Sequence, residues 1–412
     1  MTNSHLIRAF AAAIISGALL GCATSPAVES TGERAQIGDL ENYLMDIVES
    51  GSALPPGISL AVFSRDATIY ESGVGLADPF EWRVASPDTV YNTWSMTKPF
   101  TAMAVFQLVE RGLLDLDTEV AEILDFFYVD YPSSASEPIT VRHLLNHSSG
   151  LENNVPEVVG WVHTDGGREW NQTELLRDRL PSYAKLAYEP GSEGRYTNVG
   201  YMVLAAIVEA VSGDAYEDYI MEHILSPLGM HHSGFAYTDS MIELEATGSH
   251  PRFNIITMLM PFLVDDLGSL IREKRDGAIW FNHVYSDQNG PTGLISSASD
   301  VSIFVKAIMG GGAIEGKRVL SESSVKMMLN ESWVEAGKTP ETSRFDFVQH
   351  GLGWFIVDDG PYRYLGHNGG GPGFATGMRI YPDLDLGMVV MANGTNLPTD
   401  DVLDLVASIP WR

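Results

Sequence analysis

Apolar positions recur at helical spacing in IGDLENYLMDIVES, residues 37–50, and Gly51 and Pro55 follow as stop signals, so the spacing predicts a helix there. GISLAVFSRDATIYESGVG, residues 57–75, predicts two strands joined by a turn around Arg65 and Asp66. A further break falls at Ser86–Thr89. The next segment, Ser95 to Gly112, predicts a helix that is apolar on most faces: Phe100, Met103, Val105, Phe106, Leu108 and Val109. Such a helix belongs inside its lobe. Pro99 fits only near its start, and Gly112 is a natural C-cap.

Residues 115–240 predict mainly helices. ITVRHLLNHSSG forms a short helix ending in a turn, and NQTELLRDRLPSY a second. NVGYMVLAAIVEAVSG and DAYEDYIMEHILSPLG supply two more. Residues 241–290 give the weakest pattern and contain the apolar run IITMLMPFLVDDLGSLI, broken by Pro261. SSASDVSIFVKAIMGGG predicts a helix capped by Ser297 or Ser299. The tail alternates as antiparallel strands do, in LGWFIVDDG, YRYLGHNGG, GFATGMRIYP and LDLGMVVMANG, then closes on a helical TDDVLDLVASI. Strands at both chain ends and helices between them predict an α+β fold. Its antiparallel sheet is built from both ends, with flanking helices and an inserted, mostly helical lobe. The expected division is an α/β lobe over about 36–115 and 291–412 and a helical lobe over about 116–290.

Charge narrows the partners. Lys and Arg total 25 against 54 Asp and Glu, a formal charge of -29. No cationic surplus exists to displace phosphate counterions, so a nucleic-acid partner is not expected. Hydrophobic content of 45% with 19% charged residues fits a globular chain. The single cysteine, Cys22, excludes an intrachain disulfide and a thiolate zinc site. Its setting explains it: MTNSHLIR carries one positive charge, AFAAAIISGALLG is apolar and small, and Cys22 follows. That is the layout of a secretory signal. Leu19-Leu20-Gly21-Cys22 resembles the bacterial lipobox, which implies a signal peptide over 1–21, lipidation of Cys22 and a polar tether over 22–35. Ala23 after the cysteine implies sorting to the outer membrane, facing the periplasm.

Candidate chemistry lies in three short motifs. Ser95-Met96-Thr97-Lys98 places a hydroxyl and an amine three residues apart, on one face of a helical turn. Such a pair is the minimum for covalent acyl transfer without a catalytic histidine. Tyr196-Thr197-Asn198 and His367-Asn368-Gly369 follow in order. Each alone is a weak signal. Ser95 alone could be an N-cap, Tyr196 a core aromatic, and His367 a satisfied structural histidine.

In order, and with LLNHSSGL, EPGSEGRYTNVGY, PTGLISSASDVSIF and GLGW around them, the motifs are a strong one. The chain resembles the serine beta-lactamase and penicillin-binding-protein superfamily, on the branch with class C beta-lactamases, DD-peptidases and family VIII esterases. The resemblance spans roughly residues 40–405. It implies Ser95 as nucleophile, Lys98 as its proton acceptor and Tyr196 as the group that assists and protonates the leaving group. It also implies Asn198 as a residue orienting lysine and substrate. His367, Asn368 and Gly369 stand at the substrate-binding third motif, and the N–H of Gly370 joins that of Ser95 as an oxyanion donor. No metal or organic cofactor is implied. The third motif departs from the usual Lys-Thr-Gly. His367 in place of that lysine weakens the expectation of a beta-lactamase and leaves ester and D-amino-acid amide or peptide hydrolysis open.

The expected function is a serine hydrolase acting through an acyl-enzyme on a small-molecule ester or D-peptide substrate. A beta-lactamase and a non-catalytic peptidoglycan- or penicillin-binding protein are the alternatives. The oligomeric state is left open. His143 and His147 share metal-motif spacing but lack a third ligand, so they are expected to support the turn at Ser149 and Gly150. The adjacent His231 and His232 are expected to pack at the surface or between lobes. The apolar stretch Ile255–Val264 reads as buried core, pocket lining, lid or membrane contact.

Overall fold

The computed structural model describes residues 36–50, 56–152, 162–166, 171–253, 257–258, 260–261, 267–330, 334–335, 347–359 and 362–411. The expected signal peptide and tether lie outside the described residues, as does most of Ile255–Val264. Of the latter, Met258 is exposed and Met260 buried.

The centre is a nine-stranded antiparallel sheet drawn from both chain ends. The N-terminal part supplies β1 (Gly57–Phe63), β2 (Thr68–Asp78) and β3 (Arg83–Val84). A separate three-stranded sheet follows from β4 (Ser249–Pro251), β5 (Ile271–Arg275) and β6 (Ala278–Phe281). The C-terminal part supplies β7 (Val334–Glu335), β8 (Phe347–His350), β9 (Phe355–Asp359), β10 (Tyr362–Gly371), β11 (Phe374–Tyr381) and β12 (Leu386–Ala392). The large sheet runs β7-β8-β9-β10-β11-β12-β1-β2-β3, so β12 pairs with β1 and closes the two chain ends on each other. That is the α+β architecture expected. The small sheet adds strands that the expectation of a mostly helical middle did not place. Its strands come from the segment with the least periodicity, where side chains meet partners distant in sequence.

Helices cover both faces. On one lie α1 (Ile37–Glu49) and α5 (Thr399–Ser408), packed on alternate residues such as Leu60, Val62, Met388 and Val390. On the other lie α2 (Lys98–Glu110), α3 (Asn198–Ser212) and α4 (Ala298–Met309), in a larger apolar cluster that includes Phe63, Leu365 and Met378. Period-2 alternation along each strand thus feeds two cores. Ser297 caps α4 by accepting from the N–H of Asp300 at 3.1 Å, which resolves the two candidates in favour of Ser297. All but two residues of α2, Val109 and Glu110, are buried, as its all-round apolar pattern requires. Among the described residues, no single helix is long and apolar enough to cross a membrane.

Candidate active site

Ser95 sits on a 3-10 turn, Trp94–Thr97, that runs directly into α2. The sequence pattern places it in the first α turn; the tighter turn has a local cause. Side chains at i and i+3 eclipse in a 3-10 turn, which brings Ser95 and Lys98 onto one side. Trp94, the residue before the serine, takes a left-handed φ of +49°. For a bulky residue this is backbone strain, held by the packing around it.

The hydroxyl of Ser95 is bracketed. Lys98 Nζ lies 3.1 Å from Oγ, and the Tyr196 hydroxyl donates to Oγ at 2.7 Å. Lys98 Nζ also donates to Asn198 Oδ1 at 2.7 Å and to the carbonyl of Pro291 at 3.2 Å. Lys98 is fully buried, and burial pulls its ammonium well below the ordinary lysine value. The unprotonated form, which burial favours, gives each bond a direction. A neutral amine has two hydrogens and one lone pair. The two hydrogens go to Asn198 Oδ1 and the Pro291 carbonyl, neither of which can donate back. The lone pair then faces Ser95 Oγ and can take its proton. Tyr196, donating to the same Oγ, stabilises negative charge as it develops there.

His367 lies on β10, buried, with its ring 6.1 Å from that of Tyr196. Its Nδ1 is 2.8 Å from the Asn368 carbonyl, so Nδ1 carries the hydrogen and donates. Burial, then the nearby Lys98, pushes its pKa down to about 3. The ring is therefore neutral at neutral pH, with Nε2 as a lone-pair acceptor. Where the usual third motif offers a cation, this one offers an acceptor.

Alternation along β10 sorts the rest of the motif. Gly369 and Gly371 face the 3-10 turn. A Cβ on Gly369 would come within 2.0 Å of the Thr93 carbonyl, and one on Gly371 within 2.5 Å of the Trp94 ring. Glycine at these two positions is what lets the strand approach the turn that carries Ser95. Gly370 borders open space. Asn368 points to the opposite face and donates to Asp400 Oδ1 on α5 at 3.0 Å. One position out of phase with His367, Asn368 is turned toward the far side of the sheet.

Sequence reasoning missed three contributors. The first is the Pro291 carbonyl, which lies inside a quoted motif but has no side-chain signature. The second is His350 on β8, a lone histidine with no motif around it; its ring lies 5.0 Å from that of His147, and burial pushes its pKa down to about 3. The third is His147 itself, whose ring lies 4.6 Å from that of Tyr196. The His143–His147 spacing proves uninformative because the two side chains part company. His143 Nδ1 accepts from Thr140 N–H at the start of its own helix, and His147 turns to Tyr196. The His231–His232 turn is anchored by Asp300, which accepts from His232 N–H at 2.7 Å.

A strained serine turn, a buried lysine whose ammonium form is disfavoured, and a tyrosine converge on one hydroxyl, the arrangement of a serine acyl-transfer enzyme. The profile of the beta-lactamase family matches residues 46–408, so the chain belongs to that family and to the wider group of serine enzymes that includes penicillin-binding proteins. Penicillin-binding protein 4 of Amycolatopsis lactamdurans is 27% identical over 362 residues, 86% of each chain. Penicillin-binding protein 4* of Bacillus subtilis (strain 168) is 26% identical over 79% of this chain and 65% of its own length, so this chain spans just under two thirds of it. Among solved structures, the D-amino acid amidase of Ochrobactrum anthropi SV3 has the same fold, with a TM-score of 0.70 and 24% identity over 90% of this chain and 97% of the amidase.

Proposed function

We propose that the protein hydrolyses a carboxylic ester or a D-amino-acid amide through an acyl-enzyme on Ser95, and that its preferred substrates carry no free carboxylate beside the scissile bond. The observation that carries this reading is the third motif. His367 is neutral and presents a lone pair, and Asn368 is turned away to Asp400. A carboxylate approaching Nε2 would meet an acceptor rather than a cation. An amide N–H or a hydroxyl would find a partner. The likeness in fold to a D-amino acid amidase agrees with this.

In the acylation step Lys98 Nζ takes the Ser95 proton while Oγ attacks the carbonyl carbon. The Ser95 and Gly370 N–H groups receive the oxyanion. Tyr196 gives its proton to the leaving amine or alkoxide and regains one from the Lys98 ammonium through the network. Water then adds to the acyl carbon, its proton passing to the same network. The bond to Oγ breaks, and the free acid leaves with Ser95 restored.

The test is a panel of p-nitrophenyl butyrate, D-phenylalaninamide, a D-Ala-D-Ala peptide and a chromogenic cephalosporin, run on the wild type and S95A. The expected result is turnover of the first two at least about tenfold faster in kcat/KM than the carboxylate-bearing pair, abolished by S95A. Fastest turnover of the peptide or the cephalosporin would contradict the reading. The chain is also inferred to be exported and anchored at the outer membrane by lipid on Cys22, facing the periplasm. The apolar segment before Leu19-Leu20-Gly21-Cys22 supports this. C22A should then move the protein from the membrane to the soluble fraction.

A further inference from the structure

We infer that His147 is a positioning residue for Tyr196, acting as a clamp on the backbone at both sides of it; the inference rests on the role given to Tyr196 above. The N–H of Arg195 donates to the His147 carbonyl at 2.9 Å. The N–H of Thr197 donates to His147 Nδ1 at 3.2 Å. The residues immediately before and after Tyr196 are thus held by one residue fifty positions away. The Tyr188 hydroxyl adds a third bond, to the same carbonyl, at 3.2 Å. The imidazole also covers one side of the Tyr196 ring, at 4.6 Å between centroids, and Phe355 stacks on that ring at 5.9 Å. With its backbone pinned on both sides and its ring confined, the tyrosine has one place for its hydroxyl, 2.7 Å from Ser95 Oγ.

The backbone of His147 shows that this arrangement is imposed. Its φ is +58°, in the left-handed region that a β-carbon disfavours. Neighbouring bonds hold the turn there: Gly191 N–H donates to the Ser148 carbonyl, and Ala187 N–H to the Gly150 carbonyl. The tautomer is also fixed. Nδ1 accepts from Thr197, so the ring hydrogen is on Nε2. A protonated ring would replace that acceptor with a donor and release the clamp. A catalytic hydroxyl misplaced by about 1 Å loses on the order of a hundredfold in rate, so such a clamp has a kinetic consequence.

Four variants test this, with asparagine as the conservative one. Asn tolerates the left-handed region, and its Oδ1 can accept from Thr197 where Nδ1 did. H147G relieves the strain but removes the acceptor and the ring; H147Q reaches past the Nδ1 position. With p-nitrophenyl butyrate, H147N is expected to keep kcat within about fivefold of wild type. H147G and H147Q are expected to lose about a hundredfold in kcat, with KM changed less than about threefold. Y196F sets the floor. The rate of Ser95 labelling by a fluorophosphonate should follow the same order. Full activity in H147G, or equal losses in H147N and H147Q, would overturn the inference. The H147N–H147Q comparison stands even where H147G fails to fold. A wild type whose Ser95 the probe does not label would overturn the hydrolase reading instead, so the two failures are distinguishable.

Discussion

The two faces of the β10–β11 pair bury basic side chains to a similar depth and treat them in opposite ways. On the face toward Ser95, Lys98, His147, His350 and His367 are all buried, and the oxygens that Lys98 meets are those of a hydroxyl, an amide and a carbonyl. Burial pulls all four pKa values down. On the face toward α5, Arg379 is equally buried, but it binds Asp400 at 2.8 Å, binds Asp404, and lies against the Tyr364 ring at 4.3 Å. Burial works against its charge there too. The two phenols and two carboxylates outweigh it and hold the guanidinium firmly charged. Depth alone therefore does not decide protonation. Arg379 starts from a far higher intrinsic pKa and meets two carboxylates as well, whereas the contacts described for Lys98 are to neutral oxygens, so the cost of burying its ammonium goes uncompensated.

The contrast can be broken from either side. The largest effect is expected from K98R, which places a permanent cation on the catalytic face. Acylation should fall by about a thousandfold in a fluorophosphonate labelling assay, because no lone pair then faces Oγ. N198D supplies the missing carboxylate, 2.7 Å from Nζ in the parent amide. It should hold Lys98 protonated, cut kcat/KM by about a hundredfold at pH 7 and return activity as pH rises. On the other face, D400N weakens the hold on Arg379 and should cost about 3 kcal/mol in chemical denaturation while sparing Ser95 labelling.

Smaller again is a pH effect on stability. The unfolded chain binds protons on His350 and His367 near 6.5, and the folded chain only near 3. Between those values the unfolded state holds more protons, so stability is complete above about 6.5 and falls as pH drops toward 3. Each histidine contributes a slope of up to about 1.4 kcal/mol per pH unit. H350N should flatten that slope when unfolding is measured between pH 7 and 5. The smallest effect belongs to N368A, whose amide serves Asp400. It should leave kcat within about threefold of wild type and cost roughly 1 kcal/mol.

The catalytic face was more legible in the sequence than the opposite one, for a physical reason. Ser95 and Lys98 lie three residues apart and Tyr196 and Asn198 two, and these short motifs, taken in order with their flanking segments, carry the family resemblance. The sheet could be read because the tail alternates and turn signals bound the strand-forming runs at both chain ends. What stayed hidden acts through space. The Pro291 carbonyl has no side-chain identity, and His350 reaches the cluster only through the pairing of β8 with β9. The direction of the Asn368 side chain stayed hidden because a motif read as a string ignores the pleat that turns every second residue away. Arg379 and its acidic partners lie 21 and 25 residues apart and left no mark in the composition of an acidic chain.

The proposed mechanism turns on Lys98 being able to rest as a neutral amine. Its most direct test is an NMR titration of lysine labelled with carbon-13 at Cε, with the Lys98 resonance assigned by its loss in K98R. The expected result is a Lys98 midpoint well below the ordinary 10.5 and a neutral-amine shift at mildly alkaline pH, displaced upward in N198D. A midpoint near 10.5, unchanged in N198D, would contradict it.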